Sequence, residues 1–193
     1  MAKANIINKE ISDNYETYNL FLKTTKISPD SKIKVNEKKK NHPSSLYKTQ
    51  PLICELYNYV NTNLIIEIRE NNSDFSFGII SSLFLNCILV RYDSGGGTHR
   101  NNIPDVPLSE QSVTTPHFHK YNKNGYEFAY KTDKLKDEKE ATVLSDIEFG
   151  FPFFCHEANI KYNENYPELE IYSVNLFSKN IGDDPLENIT FAE

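Results

Sequence analysis

The chain has 193 residues, 38% of them apolar and 25% charged, with a formal net charge of −6. That composition describes an ordinary globular domain with a full core and excludes a disordered chain. Its longest apolar stretch, Ile79–Val90, is broken by Ser81, Ser82 and Asn86, well short of the ~18 apolar residues of a membrane span.

In chain order, Met1–Asn5 lacks the apolar core of a signal peptide, which leads to the expectation of a cytoplasmic protein. Ile11, Tyr15, Tyr18, Leu20, Phe21 and Leu22 recur at helical spacing and predict a helix over about 8–25. A basic, Pro-containing stretch over about 26–48 reads as a flexible connection. Residues 51–60 are ambiguous between helix and strand. Leu64–Ile68, Phe75–Ser81 and Leu83–Tyr92 predict strands, with turn chemistry at Asn71–Asp74. A Gly- and Asn-containing loop, Ser94–Pro107, precedes strands over about Thr114–Tyr121 and Tyr126–Lys131, joined at Asn124-Gly125. Asp133–Glu140 is a solvated charge run, Ser145–Ala158 a helix strained by Gly150 and Pro152, and Leu169–Phe177 a last strand before an acidic tail. The expectation is a single α+β domain over 1–193, with a mainly antiparallel sheet of five to seven strands flanked by two or three helices. Cys54, Cys87 and Cys155 form no C-x-x-C pair, and their odd number argues against a disulfide framework.

Charge is polarised along the chain. Residues 23–48 hold eight lysines against Asp30 and Glu37, and residues 157–193 hold eight acids against Lys161 and Lys179. A basic arm attracts phosphates, whereas an acidic tail repels nucleic acid and can dock on a basic protein groove.

Chemistry concentrates between Arg91 and Glu127, which holds three of the five histidines and four of the seven glycines. On a strand, His117 and His119 share one face with Tyr121. Lys120 shares the other with Phe118 unless the strand ends or bulges there. His99 and Arg100 sit on the preceding loop, and the hairpin returns Tyr126 and Glu127 alongside. This inventory suits metal-free RNA cleavage, because imidazole supplies both acid and base near neutrality and a cation stabilises charge building on phosphate. In that reading His99, His117, His119 and Lys120 are catalytic. Arg91, Arg100, Tyr121 and Tyr126 bind substrate, and no cofactor is required. The same groups can instead hold a divalent metal, with His99, His117, His119 and Asp93 as zinc, iron or manganese ligands. Gly95–Gly97 lacks the Lys-Ser/Thr ending of a nucleotide-binding loop. Cys155-His156 lies on a helix where neighbours point about 100° apart, which makes it no nucleophile–base pair.

Arg91-Tyr92-Asp93, His99-Arg100 and Pro116-His117-Phe118-His119-Lys120 together resemble a pattern in small proteins of Gram-positive bacteria and their mobile elements. In outline the pattern is similar to RNase toxins of toxin–antitoxin systems and, more loosely, to type II anti-CRISPR proteins that truncate guide RNA. The Gly-Gly-Gly run before His99 departs from the toxin-like spacing. The resemblance implies a ribonuclease-like inhibitor whose partners are RNA and a type II CRISPR effector with its guide RNA, with a homodimer as a further assembly. A non-catalytic inhibitor acting through acidic surface is the alternative, and a His-ligated metalloenzyme is the second.

Overall fold

Period-two alternation dominates the middle of the chain, and one long sheet is built from it. The computed structural model describes residues 7–39, 42–69, 74–85, 87–103 and 106–172. Helices α1 (Lys9–Asp13) and α2 (Tyr15–Lys23) precede strands β1 (Lys26–Ile27), β2 (Lys32–Val35), β3 (Glu37–Lys39) and β4 (His42–Cys54). Next come β5 (Thr62–Ile68), β6 (Phe75–Ser81), β7 (Ile88–Asp93), a small hairpin of β8 (His99–Arg100) and β9 (Ser112–Val113), then β10 (His117–Tyr121) and β11 (Glu127–Tyr130). Helices α3 (Asp133–Lys136), α4 (Glu138–Leu144) and α5 (Ile147–Glu157) lead to β12 (Ile160–Lys161) and β13 (Glu168–Ile171).

The main sheet has nine strands in the order β11-β10-β7-β6-β5-β4-β1-β12, with β3 paired to β4. All its pairs are antiparallel except β1 with β12. The class is therefore α+β as expected, but the sheet is larger than the five to seven strands predicted. The extra strands of this sheet are β1, β3 and β4, within residues 26–54, and the short β12; residues 26–48 are therefore not a flexible connection. Lys32-Ile33-Lys34-Val35 alternates exposed lysine with buried aliphatic, a strand signal that the run of positive charge obscured.

Helices also outnumber the expectation, with five among the described residues. The N-terminal helix breaks at Asn14, whose ψ of 35° leaves the helical region. The charge run Asp133–Glu140 folds as α3 and the start of α4 because Leu135 and Ala141 supply buried anchors and Asp137 caps α4. Helix α5 runs through Gly150 and Pro152. Gly150 is required there, since a Cβ would lie 2.8 Å from the Phe75 ring and 2.6 Å from the Leu144 carbonyl oxygen. Strand Leu83–Tyr92 is shorter than predicted, beginning at Ile88, and the last strand is described only to Ile171. Residues 173–193, most of the acidic tail, lie outside the described residues, as does most of the Asn71–Asp74 turn.

One face of the sheet carries the core. Phe77 packs on Phe151 and Phe154 of α5 at 5.1 and 5.5 Å, and Phe118 packs on Tyr92 and Phe153 at 4.9 and 5.7 Å. Helix α2 is fastened by Tyr18, whose buried hydroxyl donates to the Leu89 carbonyl at 2.7 Å and accepts the Tyr121 N–H at 2.9 Å. Burial of these rings removes large apolar areas from water.

A second fastener is ionic. Lys26 is fully buried, and its ammonium donates to the carbonyls of Phe21, Leu22, Thr24 and Ala158 at 2.8, 3.0, 2.8 and 3.2 Å. It closes the C-termini of α2 and α5 together, where unsatisfied carbonyls and helix dipoles favour a cation. Burial draws its pKa down to about 8, still above neutrality. The charged segments meet each other as well: β13 runs parallel to β2, placing Glu168 opposite Lys32 and Glu170 opposite Lys34.

Replacing Lys26 by Met would keep the packing volume but remove the donor to four carbonyls, of which Phe21's keeps the Thr24 N–H and Leu22's the Asn159 amide. We expect Lys26→Met to lower the unfolding free energy by about 3–5 kcal/mol in urea titrations followed by circular dichroism. A loss below ~1 kcal/mol would show that the ammonium is dispensable.

Candidate metal centre

The face opposite the core collects the polar side chains in register. Glu67, Ser76, Asp93 and His117 pair in turn across β5, β6, β7 and β10. One step along, Ile65, Gly78, Arg91 and His119 pair likewise, with Ala129 of β11 beyond His119. Alternation on β10 thus puts both imidazoles beside the carboxylate and guanidinium of β7.

The donor atoms converge. His117 Nε2 and His119 Nε2 lie 2.9 Å apart, and Asp93 Oδ2 lies 3.1 Å from His119 Nε2 and 3.8 Å from His117 Nε2. Both imidazoles are nearly sealed, with side-chain exposures of 3% and 2%. Arg91 Nε holds Asp93 Oδ2 at 3.0 Å, and Arg91 Nη2 lies 3.9 Å from Glu127 Oε1.

The outer nitrogens reveal what the inner ones carry. His117 Nδ1 lies 3.3 Å from the Thr114 carbonyl oxygen, which can only accept, so the ring proton belongs on Nδ1 and the Nε2 lone pair points inward. His119 Nδ1 makes no hydrogen bond and lies 3.5 Å from the Glu127 carboxylate, which favours a proton there too. With its proton on Nε2, His119 donates to His117 Nε2 or Asp93 Oδ2; with its proton on Nδ1, two lone pairs and a carboxylate oxygen face one another and a cation between them would be stabilised.

The residues fit an ion. With metal–ligand bonds of about 2.0–2.2 Å, donors on a tetrahedral or octahedral centre are separated by about 3.0–3.5 Å. The three observed separations bracket that range. The outer partners, a backbone carbonyl for one imidazole and a carboxylate for the other, are those that orient metal-bound histidines. Asp93, His117 and His119 form the group among the described residues whose donor atoms lie this close.

Electrostatics keeps the site ready for a cation. Burial, then neighbouring His119, pulls the His117 pKa down to about 4, against an upward pull from Asp93. His99 is lowered by the same two causes in the same order. Burial pushes the Asp93 carboxyl up, but the His119 hydrogen bond and the Arg91 charge outweigh it and hold it low.

Of the residues nominated from sequence, the sheet brings together His117, His119, Asp93 and Arg91. His99 stands at the margin, half-buried, its ring edge-on to His119 at 4.7 Å and 6.0 Å from His117. Lys120 is on the other face, its ammonium 4.3 Å from the Tyr130 ring and 5.8 Å from Phe128, as strand alternation requires. Arg100 is exposed and alternates away from His99. Tyr121 packs edge-on against Tyr18 at 6.1 Å, and Tyr126 sits in the hairpin turn with its N–H on Asn122. Glu127 joins the site although no role was assigned to it; its hairpin position opposite Tyr121, two residues beyond His119, was the signal.

Asp93 and Arg91 also border a cavity of about 360 Å3, whose floor is Ser76 and Gly78 and whose far wall is Glu67 and Arg69. The glycine loop closes one end of it. Gly95 admits Asp74, which would lie 2.9 Å from a Cβ there, and Gly96 takes a φ of +107°.

No protein-family model, curated protein or solved structure matches the chain.

The lowered His117 pKa has a thermodynamic consequence. The unfolded chain takes up this proton near pH 6.5, the folded one only near pH 4, so stability contributed by the neutral ring is full above 6.5 and lost on descending to 4. Chelator-treated protein should lose stability across that interval in urea titrations, and His117→Asn should flatten the slope. An identical slope in the variant would contradict a buried neutral His117.

Proposed function

We propose that this protein is a metal-dependent hydrolytic enzyme whose ion is held by His117, His119 and Asp93. The observation that carries the reading is the convergence of two imidazole Nε2 atoms, on rings nearly sealed from water, and a carboxylate oxygen within 2.9–3.8 Å. Two imidazoles and one carboxylate make up catalytic zinc sites and also the triads of non-haem iron oxygenases. The charged lining beside the donors, with Arg91 against Asp93 and Glu67 and Arg69 across the cavity, favours hydrolysis of a polar substrate over oxygen chemistry on an apolar one.

When bound, such an ion polarises a carbonyl or phosphoryl oxygen and activates water at neutral pH. The chain's own residues do the rest. Arg91 orients Asp93 through Nε and presents its guanidinium to the cavity, where it can neutralise an anionic substrate group. The Thr114 carbonyl fixes the His117 tautomer, and the Glu127 carboxylate, 3.5 Å from His119 Nδ1, stands where it can orient that ring. The small floor residues Ser76 and Gly78 leave room for substrate beside Asp93.

RNA, the substrate implied by the sequence resemblance, fits the metal-free mechanism less well. An in-line displacement places the attacking and leaving oxygens on opposite sides of phosphorus, so its acid and base must stand apart. His117 and His119 are instead within 2.9 Å of each other. Half-buried His99 paired with His119 is the arrangement that keeps a metal-free reading open. A non-catalytic inhibitor working through acidic surface would draw on Glu157, Glu164, Glu168 and Glu170 and on Asp183, Asp184, Glu187 and Glu193, the last four outside the described residues.

Purified protein should bind one zinc, manganese or iron ion per chain, and Asp93→Ala, His117→Ala and His119→Ala should each abolish stoichiometric binding. Glu127→Gln should weaken it roughly 10–100-fold. Metal analysis after exhaustive dialysis checks both; an ion content unaffected by the three alanine variants would refute the site. Labelled RNA, offered alone and within an RNA-guided effector, tests the substrate. Cleavage abolished by chelator supports the metal-dependent enzyme. Cleavage that persists in chelator and leaves a 2′,3′-cyclic phosphate would overturn it in favour of histidine acid–base chemistry.

A further inference from the structure

The loop between β7 and β10 does more than connect them. It folds back so that β8 and β9 lie beside the metal centre, joined by only two residue pairs, His99 with Val113 and Arg100 with Ser112. A two-pair hairpin is too short to hold itself in place. Its seat is supplied by Asn101, which is buried and behaves as a piece of strand: Nδ2 donates to the Ala129 carbonyl at 2.9 Å, and Oδ1 accepts the Ala129 N–H at 2.6 Å. Ala129 is the residue registered opposite His119, so this dock lies one strand from the metal centre. Gln111 ties the returning limb, donating to the Ile103 and Val106 carbonyls at 3.1 and 2.6 Å and accepting the Asn101 N–H on its backbone oxygen at 2.9 Å.

The residue delivered by this seat is His99. Its ring centroid lies 4.7 Å from His119 and 6.0 Å from His117, while His117 and His119 are themselves 4.7 Å apart. Three imidazoles sharing one ion stand about 4.5–6 Å apart, given metal–nitrogen bonds of about 2.0–2.1 Å. His99 is excluded only because its donor atom stands outside the close group of Asp93, His117 and His119. Chain-upstream, Gly96 adopts a φ of +107°, and a Cβ at Gly96 or Gly97 would meet open space, so the hairpin's leading limb is unpacked at these two residues.

Resting on the metal-centre reading, we propose that the β8–β9 hairpin is a flap that brings His99 to the ion as a fourth protein ligand, and that Asn101 is the positioning residue that seats it. With His117 and His119 nearly sealed, the flap also governs how fast an ion enters and leaves.

Cobalt(II) tests this without a substrate, because its visible absorption reports ligand number and type. In full-length protein stripped by chelator and reloaded, His99→Ala should shift the cobalt bands and weaken binding roughly 10–100-fold. Asn101→Ala should leave the saturated spectrum unchanged while speeding cobalt uptake and chelator-driven release about tenfold or more. Asn101→Asp, which keeps the acceptor for the Ala129 N–H and loses the donor, should fall between, and circular dichroism confirms that each variant is folded. Cobalt bound with a spectrum and affinity indifferent to His99→Ala sinks the flap-ligand proposal and leaves the three-residue centre standing. Wild-type protein that binds no cobalt, zinc, manganese or iron sinks both.

Discussion

The register between β7 and β10 is the constraint on which the site depends. Asp93 stands opposite His117 and Arg91 opposite His119, so the two ends of a loop of more than twenty residues meet as adjacent cross-strand pairs. A slip of one residue would turn both imidazoles into the aromatic core and send Phe118 to the polar face. What prevents the slip is on the other side of the sheet. The Tyr92 and Phe118 rings, paired at 4.9 Å, lock the same two strands from behind, and the Tyr18 hydroxyl bridges the Leu89 carbonyl and the Tyr121 N–H. The core thereby sets the geometry of the site without touching it.

Seen this way, the sheet separates two kinds of burial. On the helix side, two deeply buried polar groups are well partnered: Lys26 has four carbonyls and Tyr18 a donor and an acceptor. On the other side, His119 Nδ1 is buried with no hydrogen bond and His117 is held neutral by burial. A protein that satisfies an ammonium with four carbonyls could satisfy an imidazole as well. Asp93, His117 and His119 are the buried group that could take up a cation, and the proposed metal centre rests on that contrast.

The sequence made some of this legible and hid the rest for identifiable reasons. His-x-His on a strand, the faces of Phe118 and Lys120, and the Asn124-Gly125 turn follow from period-two geometry and short-range turn chemistry. Phe75–Ser81 was readable to the residue because its aromatic and aliphatic positions alternate between turns. The charge-rich segments were misread, since lysines in β2 and acids in α3 and α4 mask buried Ile33, Val35, Leu135 and Ala141. Asp93, His117 and His119 could be grouped as candidate metal ligands from their residue types, but the pairing of Asp93 with His117 joins residues far apart in the chain and no local pattern encodes it. Asn101 was invisible for a different reason: its role is to imitate backbone, and a lone Asn in a loop carries no sign of which strand it will imitate.

The polarity of charge along the chain also changes meaning once folded. From sequence, a basic arm and an acidic tail invite separate partners, one nucleic acid and one protein. In the fold, β2 and β13 are neighbours, and Lys32 faces Glu168 across a contact of 3.8 Å with both side chains well exposed. Such a pair contributes little stability, yet it places opposite charges within a Debye length and cancels their field at a distance. Lys32 and Lys34 therefore contribute little as long-range attractors for phosphate. In the proposed enzyme, attraction of an anionic substrate would fall instead to the centre itself, where Arg91 and a divalent ion together would outweigh Asp93 and Glu127. Substrate capture and catalysis would then depend on the same ion, so losing the metal would remove both at once.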